Sequence, residues 1–246
     1  MRLYRNLGFK IHYLMSFIGG SVEVISFVYF YKALIGYMTS NMIFSVIDIC
    51  DGNFNFASMF HLQIILIWIL ISTIYQFFYI KFKPKIEAIP THTFYSIIFT
   101  INTFLLLAFI LIGHRLYNNG IFNAEPSSSI MPLITLGLIF MFLHNFVIKH
   151  GGSKYPTNTS VVTSTYILMS TTFASLYYCK NRRDFIKKYH ESLHYFFVIF
   201  HFFLGATITF LLQRHIDFYS LFIPLIVLLC LILFIGINRH NTYRLR

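Results

Sequence analysis

Apolar residues run along the chain in eight stretches, at about 11–31, 36–50, 57–80, 93–113, 130–148, 159–178, 193–213 and 216–237. A membrane-spanning helix needs roughly 20 residues to cross about 30 Å of hydrocarbon. The stretch at 36–50 falls short of that length. The one at 159–178 reaches it but is interrupted by Thr163-Ser164-Thr165 and again by Ser170-Thr171-Thr172. Length alone leaves these two open.

The polar interruptions fall in two matching places. Met38-Thr39-Ser40-Asn41 follows Glu23, and Val162-Thr163-Ser164-Thr165 follows Asn145. The two threonines lie 124 positions apart and Glu23 lies 122 from Asn145, against a half-length of 123 in this 246-residue chain. That spacing reads as an internal repeat, with a first membrane repeat at 1–116 and a second at 130–246. The connector 117–129, rich in Asn, Ser, Gly and Pro, reads as an external loop.

Composition fixes the class. The chain is 57% apolar, 20% aromatic and 11% charged, where soluble domains carry about a quarter charged residues. It reads as an integral membrane protein whose constant partner is the lipid bilayer. The net charge of +11 does not point to nucleic acid, because the basic residues stand at the ends of apolar runs and form no single patch or aromatic-interleaved groove. They read as topology signals facing anionic lipid.

The same residues decide between topologies, since short cytoplasmic loops collect Lys and Arg. Eight crossings with an inner N-terminus put 12 basic residues inside and 7 outside, among them Lys81, Lys83 and Lys85. If 36–50 and 159–178 dip in and return, the count becomes 16 inside against Lys32, Arg115 and Arg214 outside. The expected fold is therefore an all-α polytopic membrane protein of six transmembrane helices plus two short re-entrant or half-helix segments, with both termini cytoplasmic. Three crossings per half make an inverted 3+3 repeat, as in many transporters.

Two features of the ends and thiols add little. Met1 to Lys10 is basic and leads into an apolar run, but no small-residue cleavage site follows and Glu23 interrupts the run, so it reads as a first anchor helix. Cys50, Cys179 and Cys230 have no paired spacing and read as buried thiols.

Four short motifs in order carry a family resemblance: Gly20-Ser21-Val22-Glu23-Val24-Ile25-Ser26-Phe27, Tyr37-Met38-Thr39-Ser40-Asn41, His144-Asn145 and Thr159-Ser160-Val161-Val162-Thr163-Ser164-Thr165. With the length and repeat layout they resemble the YoaK family of bacterial membrane proteins, catalogued as domain of unknown function 1275. This chain departs from the family pattern at Ser40 and Ser164, where the family has glycine, at Glu23 in place of Asp, and at His144 in place of Gln. The resemblance implies a polytopic protein of the bacterial inner membrane, fits a transporter, and carries no established reaction.

Glu23 is the one acid at the middle of a spanning stretch, where an ionised side chain costs at least about 2.5 kcal/mol on insertion scales. It reads either as a proton- or cation-binding carboxyl or as a structural hydrogen-bond partner of a neighbouring helix. Gly19, Gly20 and serines 16, 21 and 26 give its helix a small-residue face suited to close packing. Thr39, Ser40 or Asn41 is expected to cap a buried half-helix start, and Thr163, Ser164 and Thr165 to repeat it from the cytoplasmic side. A helix start exposes unpaired N–H groups to a polar or anionic solute, while Ser and Thr also bond back to their own helix. Asn145 takes the place of Glu23 in the second half as an amide that does not titrate, and His144 beside it titrates near neutral pH when unperturbed.

His190-Glu191-Ser192-Leu193-His194 matches H-E-x-x-H, whose two imidazoles on one helix face bind zinc beside a general base. His201 is seven residues further on. The usual third ligand is missing, and Phe197 and Phe200 stand where a longer zinc motif needs Gly and His, so the match reads as fortuitous. Tyr177, Tyr178, Tyr189 and Tyr195 read as interfacial aromatics. No phosphate loop or cofactor motif is present, and no cofactor is expected. The leading expectation is a small secondary transporter or permease for a small polar solute or ion, proton coupling being open. A channel, an intramembrane zinc protease and a non-transporting scaffold are the alternatives.

Overall fold

The computed structural model describes residues 7–50, 56–123, 125–150 and 162–244. Among them every regular element is helical: α1 (Leu7–Tyr29), α2 (Met38–Cys50), α3 (Phe60–Glu87), α4 (Thr91–Asn118), α5 (Met131–His150), α6 (Val162–Ala174), α7 (Arg182–Ile216) and α8 (Phe222–Arg244), joined in places by short 3-10 turns. Five stretches are long and apolar enough to cross a bilayer; four correspond to α1, α3, α4 and α5, and the fifth, Arg182–Ile237, holds both α7 and α8. The chain is an all-α polytopic membrane protein. The described parts of α2 and α6 have 13 residues each, about 20 Å at 1.5 Å per residue, less than the hydrocarbon thickness of a bilayer.

Apolar runs and helices end at different places. Helix α3 continues to Glu87, taking in Lys81, Lys83 and Pro84, and α7 begins at Arg182, well before the apolar stretch at 193. Charge ends the hydrocarbon layer and not the helix, because Lys, Arg and Glu are good helix formers in water.

Helix α1 is the central element: 78% of its apolar window is buried inside the protein, against 6% for α3. Its chief partner is α7, which runs parallel to it in constant register. Nδ1 of His12 lies 3.4 Å from Nε2 of His194, the Ser21 hydroxyl donates to the Gly205 carbonyl at 3.2 Å, and the Tyr29 hydroxyl donates to Gln213 at 3.0 Å. The expected small-residue face is what permits this. A Cβ on Gly20 would meet the Phe202 carbonyl, and one on Gly205 the Phe17 carbonyl. Backbone thus lies on backbone at two glycines, one from each helix.

The C-terminal ends of α1, α4 and α7 gather at one end of the bundle. There the Tyr29 ring stands 5.6 Å from Tyr117 and 4.6 Å from Phe218, and Phe30 stands 5.9 Å from Phe109. Asp217 turns the chain from α7 into α8 at φ 44°, a region an Asp tolerates through local hydrogen bonds. Its Oδ1 accepts from the Phe218 N–H and lies 2.9 Å from Nδ1 of His114. Helix α8 then returns along α4.

Helix contacts come in matched sets. Helix α1 packs on α7 and α5 on α3; α1 on α8 and α5 on α4; α2 on α3 and α6 on α7; the pairs α1–α5 and α4–α8 complete the set. Exchanging α1–α4 for α5–α8 maps it onto itself.

Two expectations need correction. Cys50 and Cys230 are exposed and Cys179 is half-buried; on the apolar outer surface of a bundle a thiol needs no protein cover. Tyr195 is buried, packing with Phe9 and Tyr13 between α1 and α7, while Tyr177, Tyr178 and Tyr189 are exposed. Within the connector at 117–129, α4 runs to Asn118, and Ile121 and Phe122 lie in a 3-10 turn packed on the core.

Replacing Gly205 by Ala should lower thermal stability in detergent by the equivalent of about 2 kcal/mol, because a backbone carbonyl occupies the Cβ position. Gly236→Ala, where nothing lies within 4 Å, should leave the melting temperature unchanged.

Candidate functional site

The site is built where the chain leaves α1. Tyr31 and Lys32 have φ of 52° and 67°, and the Lys32 N–H reaches back to the Phe27 carbonyl at 3.2 Å. This is a helix C-cap of the Schellman type with tyrosine where glycine is usual. The Tyr31 ring packs edge-on against Phe60 at 5.5 Å, which offsets some of the left-handed strain, about 1 kcal/mol.

The chain then runs back along α1. Ala33 and Ile35 are fully buried, and Gly36 arrives against the Glu23 side chain. A Cβ at Gly36 would strike Glu23 Oε1 and stand 2.7 Å from the Met141 methyl, so this close approach requires glycine. Glu23 is six residues before the end of α1, about 9 Å down the helix axis. The short segment therefore reaches well inside the bundle before α2 begins.

Asn41 fixes that segment. Its Oδ1 accepts from the Leu34 N–H at 3.2 Å and its Nδ2 donates to the Leu34 carbonyl at 2.7 Å. One amide satisfies both halves of an extended peptide that has no strand neighbour to do so. Asn41 is a clamp inside the first turn of α2 and not a cap, because the helix already starts at Met38. Ser40 donates to the Tyr37 carbonyl at 2.8 Å, and Thr39 is exposed.

Glu23 is 3% exposed. Its Oε2 receives only a long contact, 3.5 Å, from the Ser26 hydroxyl, and Oε1 lies against the Gly36 peptide without closing a hydrogen bond of normal geometry. The residue lines a cavity of about 410 Å³ shared by α1, the 34–37 segment, α6 through Tyr166, and α7 through Phe202. A larger cavity of about 560 Å³ between α6 and α7 is lined by Met169, Phe173, Leu193, Phe196 and their neighbours and holds no acid or base beyond the Tyr189 phenol. The carboxyl makes the smaller one the chemical site.

Of the eight residues picked from sequence, Glu23 alone lines this cavity. Thr163 is exposed, Ser164 half-buried and Thr165 buried, the same order as Thr39, Ser40 and Asn41. Thr159 to Val161 lie outside the described residues. Asn145 keeps its Oδ1 buried without a hydrogen bond, away from the cavity wall, and His144 packs its ring on Gly19, one turn from Glu23.

The histidines of the H-E-x-x-H run do not converge. His194 is fully buried between His12 and Tyr13, with Nδ1 3.1 Å from the Tyr13 hydroxyl. His201 has Nδ1 on the Phe197 carbonyl of its own helix, its ring stacked on Tyr13. Among the described residues no three of His, Cys, Asp or Glu come close enough to hold a metal ion.

The four sequence motifs and all eight helices fall in or across residues 11–234, which match the family model described as protein of unknown function (DUF1275). The chain belongs to the DUF1275 family. No curated protein and no solved structure matches it.

Sequence reasoning missed several polar residues of this DUF1275 chain. Asn102, in mid-α4, is fully buried with neither amide atom hydrogen-bonded. The signal was available, since a lone amide in the apolar stretch 93–113 stands out as Asn145 does in 130–148. The pairing of His12 with His194 had no such signal, because it joins residues 182 apart through the α1–α7 register.

Substituting Asn41 by Ala leaves the Leu34 N–H and carbonyl unpaired and should cost about 2–3 kcal/mol, read as a lower melting temperature. Asn41→Asp restores only the acceptor and should fall between.

Proposed function

We propose that this DUF1275 protein is a small secondary transporter or permease of the bacterial inner membrane, with Glu23 as its ionisable coupling group. The carrying observation is the carboxyl itself: 3% exposed, in mid-helix, on the wall of a cavity whose lining residues include no Lys, Arg or His. Burying an ionisable group without a partner is costly, and such a group inside a membrane helix marks an ion or solute path more often than it serves packing.

The arrangement of helix ends supports two inverted halves. With the C-terminal ends of α1, α4 and α7 on one side, α3 has to cross back before α4, so α2 begins and ends on the side where α1 ends. The same reasoning puts both ends of α6 on the opposite side. Two short helices that enter and return from opposite faces, with the matched helix contacts, are what an inverted 3+3 repeat produces. The repeats are then 1–116 and 130–246, with 117–129 between them. The distribution of Lys and Arg favours the gathered ends as external and both termini as cytoplasmic.

Within this reading the partners are the bilayer and a transported solute or ion, with no nucleic acid, cofactor or catalytic step. Transport follows from exposing the Glu23 cavity alternately to the two sides. Each half supplies a short helix at the cavity, α2 through Tyr37 just before its start and α6 through Tyr166.

In liposomes carrying a pH-sensitive dye, a transported solute should drive proton movement through the native protein and not through Glu23→Gln; equal proton-linked uptake by the variant overturns the coupling role. Cysteines at Ser40 and Ser164 should react with a membrane-impermeant maleimide from opposite sides, Ser40→Cys from outside and Ser164→Cys from inside.

A further inference from the structure

The wall around Glu23 also specifies a ligand chemistry. Five aromatic rings line the cavity, those of Phe27, Tyr37, Tyr166, Phe202 and Phe203, and Glu23 is the one acid; no Lys, Arg or His is among the lining residues. Tyr37 and Phe202 meet edge to face at 6.3 Å. Building on the transport reading of this cavity, we propose that it binds an amphipathic organic cation, a protonated or quaternary amine with apolar substituents, with Glu23 as the counter-charge.

Four considerations lead there. A carboxyl in an apolar wall that holds no Lys, Arg or His is protonated or is neutralised by a cation from outside the protein. Aromatic faces attract organic cations and cage quaternary ammonium groups. A metal cation is a poor fit, because Ca²⁺ or Mg²⁺ demands six or more oxygen ligands and the wall presents one carboxyl and two phenols. An anion would meet Glu23 with no positive charge to offset it.

The rim fits an amphipathic ligand too. Phe27, Tyr166 and Phe203 are 45%, 50% and 68% exposed, so the cavity opens on the apolar outer surface of the bundle. A lipophilic cation dissolved in the bilayer enters from there without first crossing water.

Binding then exchanges one charge for another. The ammonium takes the place of the carboxyl proton, which leaves to solvent, so one positive charge enters as one departs. The other titratable groups near Glu23 are the Tyr37 and Tyr166 phenols in the wall and the His144 imidazole against Gly19. Proton and ammonium compete for one site, and affinity falls as the medium is made acidic. Alternate exposure of such a site gives proton–cation antiport.

The test is calorimetric titration of the purified protein in detergent with benzyltrimethylammonium, its neutral carbon isostere neopentylbenzene, and the anion benzylsulfonate. In mildly alkaline buffer the cation should bind at least about tenfold tighter than either comparator, with proton release and weaker binding in mildly acidic buffer. Glu23→Gln should erase the preference for the cation while keeping the native melting temperature. Equal binding of cation and isostere, or an unchanged preference in Glu23→Gln, overturns the proposal. Should Glu23→Gln fail to fold, Tyr166→Leu on the exposed rim decides: a loss of about fivefold is expected from removing one aromatic face, and unchanged affinity overturns it. Proton-linked uptake of another solute by a protein that ignores the cation keeps the transport reading and sinks this one. Cation binding without any uptake does the reverse.

Discussion

The contact on which the rest of the molecule depends is the one between the backbones of α1 and α7 at Gly20 and Gly205. In a bilayer the lipid tails are as apolar as leucine, so helices are not driven together by water. Close packing and a few hydrogen bonds have to suffice. The two glycines let carbonyls of each helix occupy space where a Cβ would stand on the other. This fixes the parallel register seen at His12–His194, Ser21–Gly205 and Tyr29–Gln213. It also sets Glu23, one turn beyond Gly20, at the edge of the contact and beside the cavity.

A second constraint acts through the segment after α1. An extended peptide inside an apolar bundle has polar groups that neither water nor a strand can satisfy. Asn41 solves this at Leu34, and Gly36 allows the chain to pass over the carboxyl. The polar motif that looked like a ligand site from its composition is thus chiefly the scaffold holding Gly36 and Tyr37 at the cavity. The proposed function rests on the carboxyl and the aromatic rings that line the cavity.

Much of the fold was legible because the bilayer imposes simple rules. Apolar length marked the long spanning stretches, and the polar interruptions marked the two shorter helices, α2 and α6. Glu23 was legible because a carboxyl in mid-span is rare and costly. Helix ends were not, since the residues that end an apolar run, such as Lys81 and Arg182, continue a helix in water. The exposure of Thr39 and Thr163 was hidden for a related reason: a hydroxyl bonds back to its own helix, so its presence says little about which way it faces. Asn145 matches in sequence position, yet it is not among the residues lining the cavity beside Glu23.

The central claim is that Glu23 is a chemically accessible carboxyl on an apolar cavity and not a structural hydrogen-bond partner. A hydrophobic carbodiimide tests it directly, because it partitions into the bilayer and adds to protonated carboxyls in apolar surroundings. Peptide mass spectrometry after labelling in membranes should find a covalent adduct on Glu23, with labelling slowed as the medium is made alkaline. An unmodified Glu23, under conditions where the exposed Glu125 has reacted with a water-soluble carbodiimide, would contradict the account.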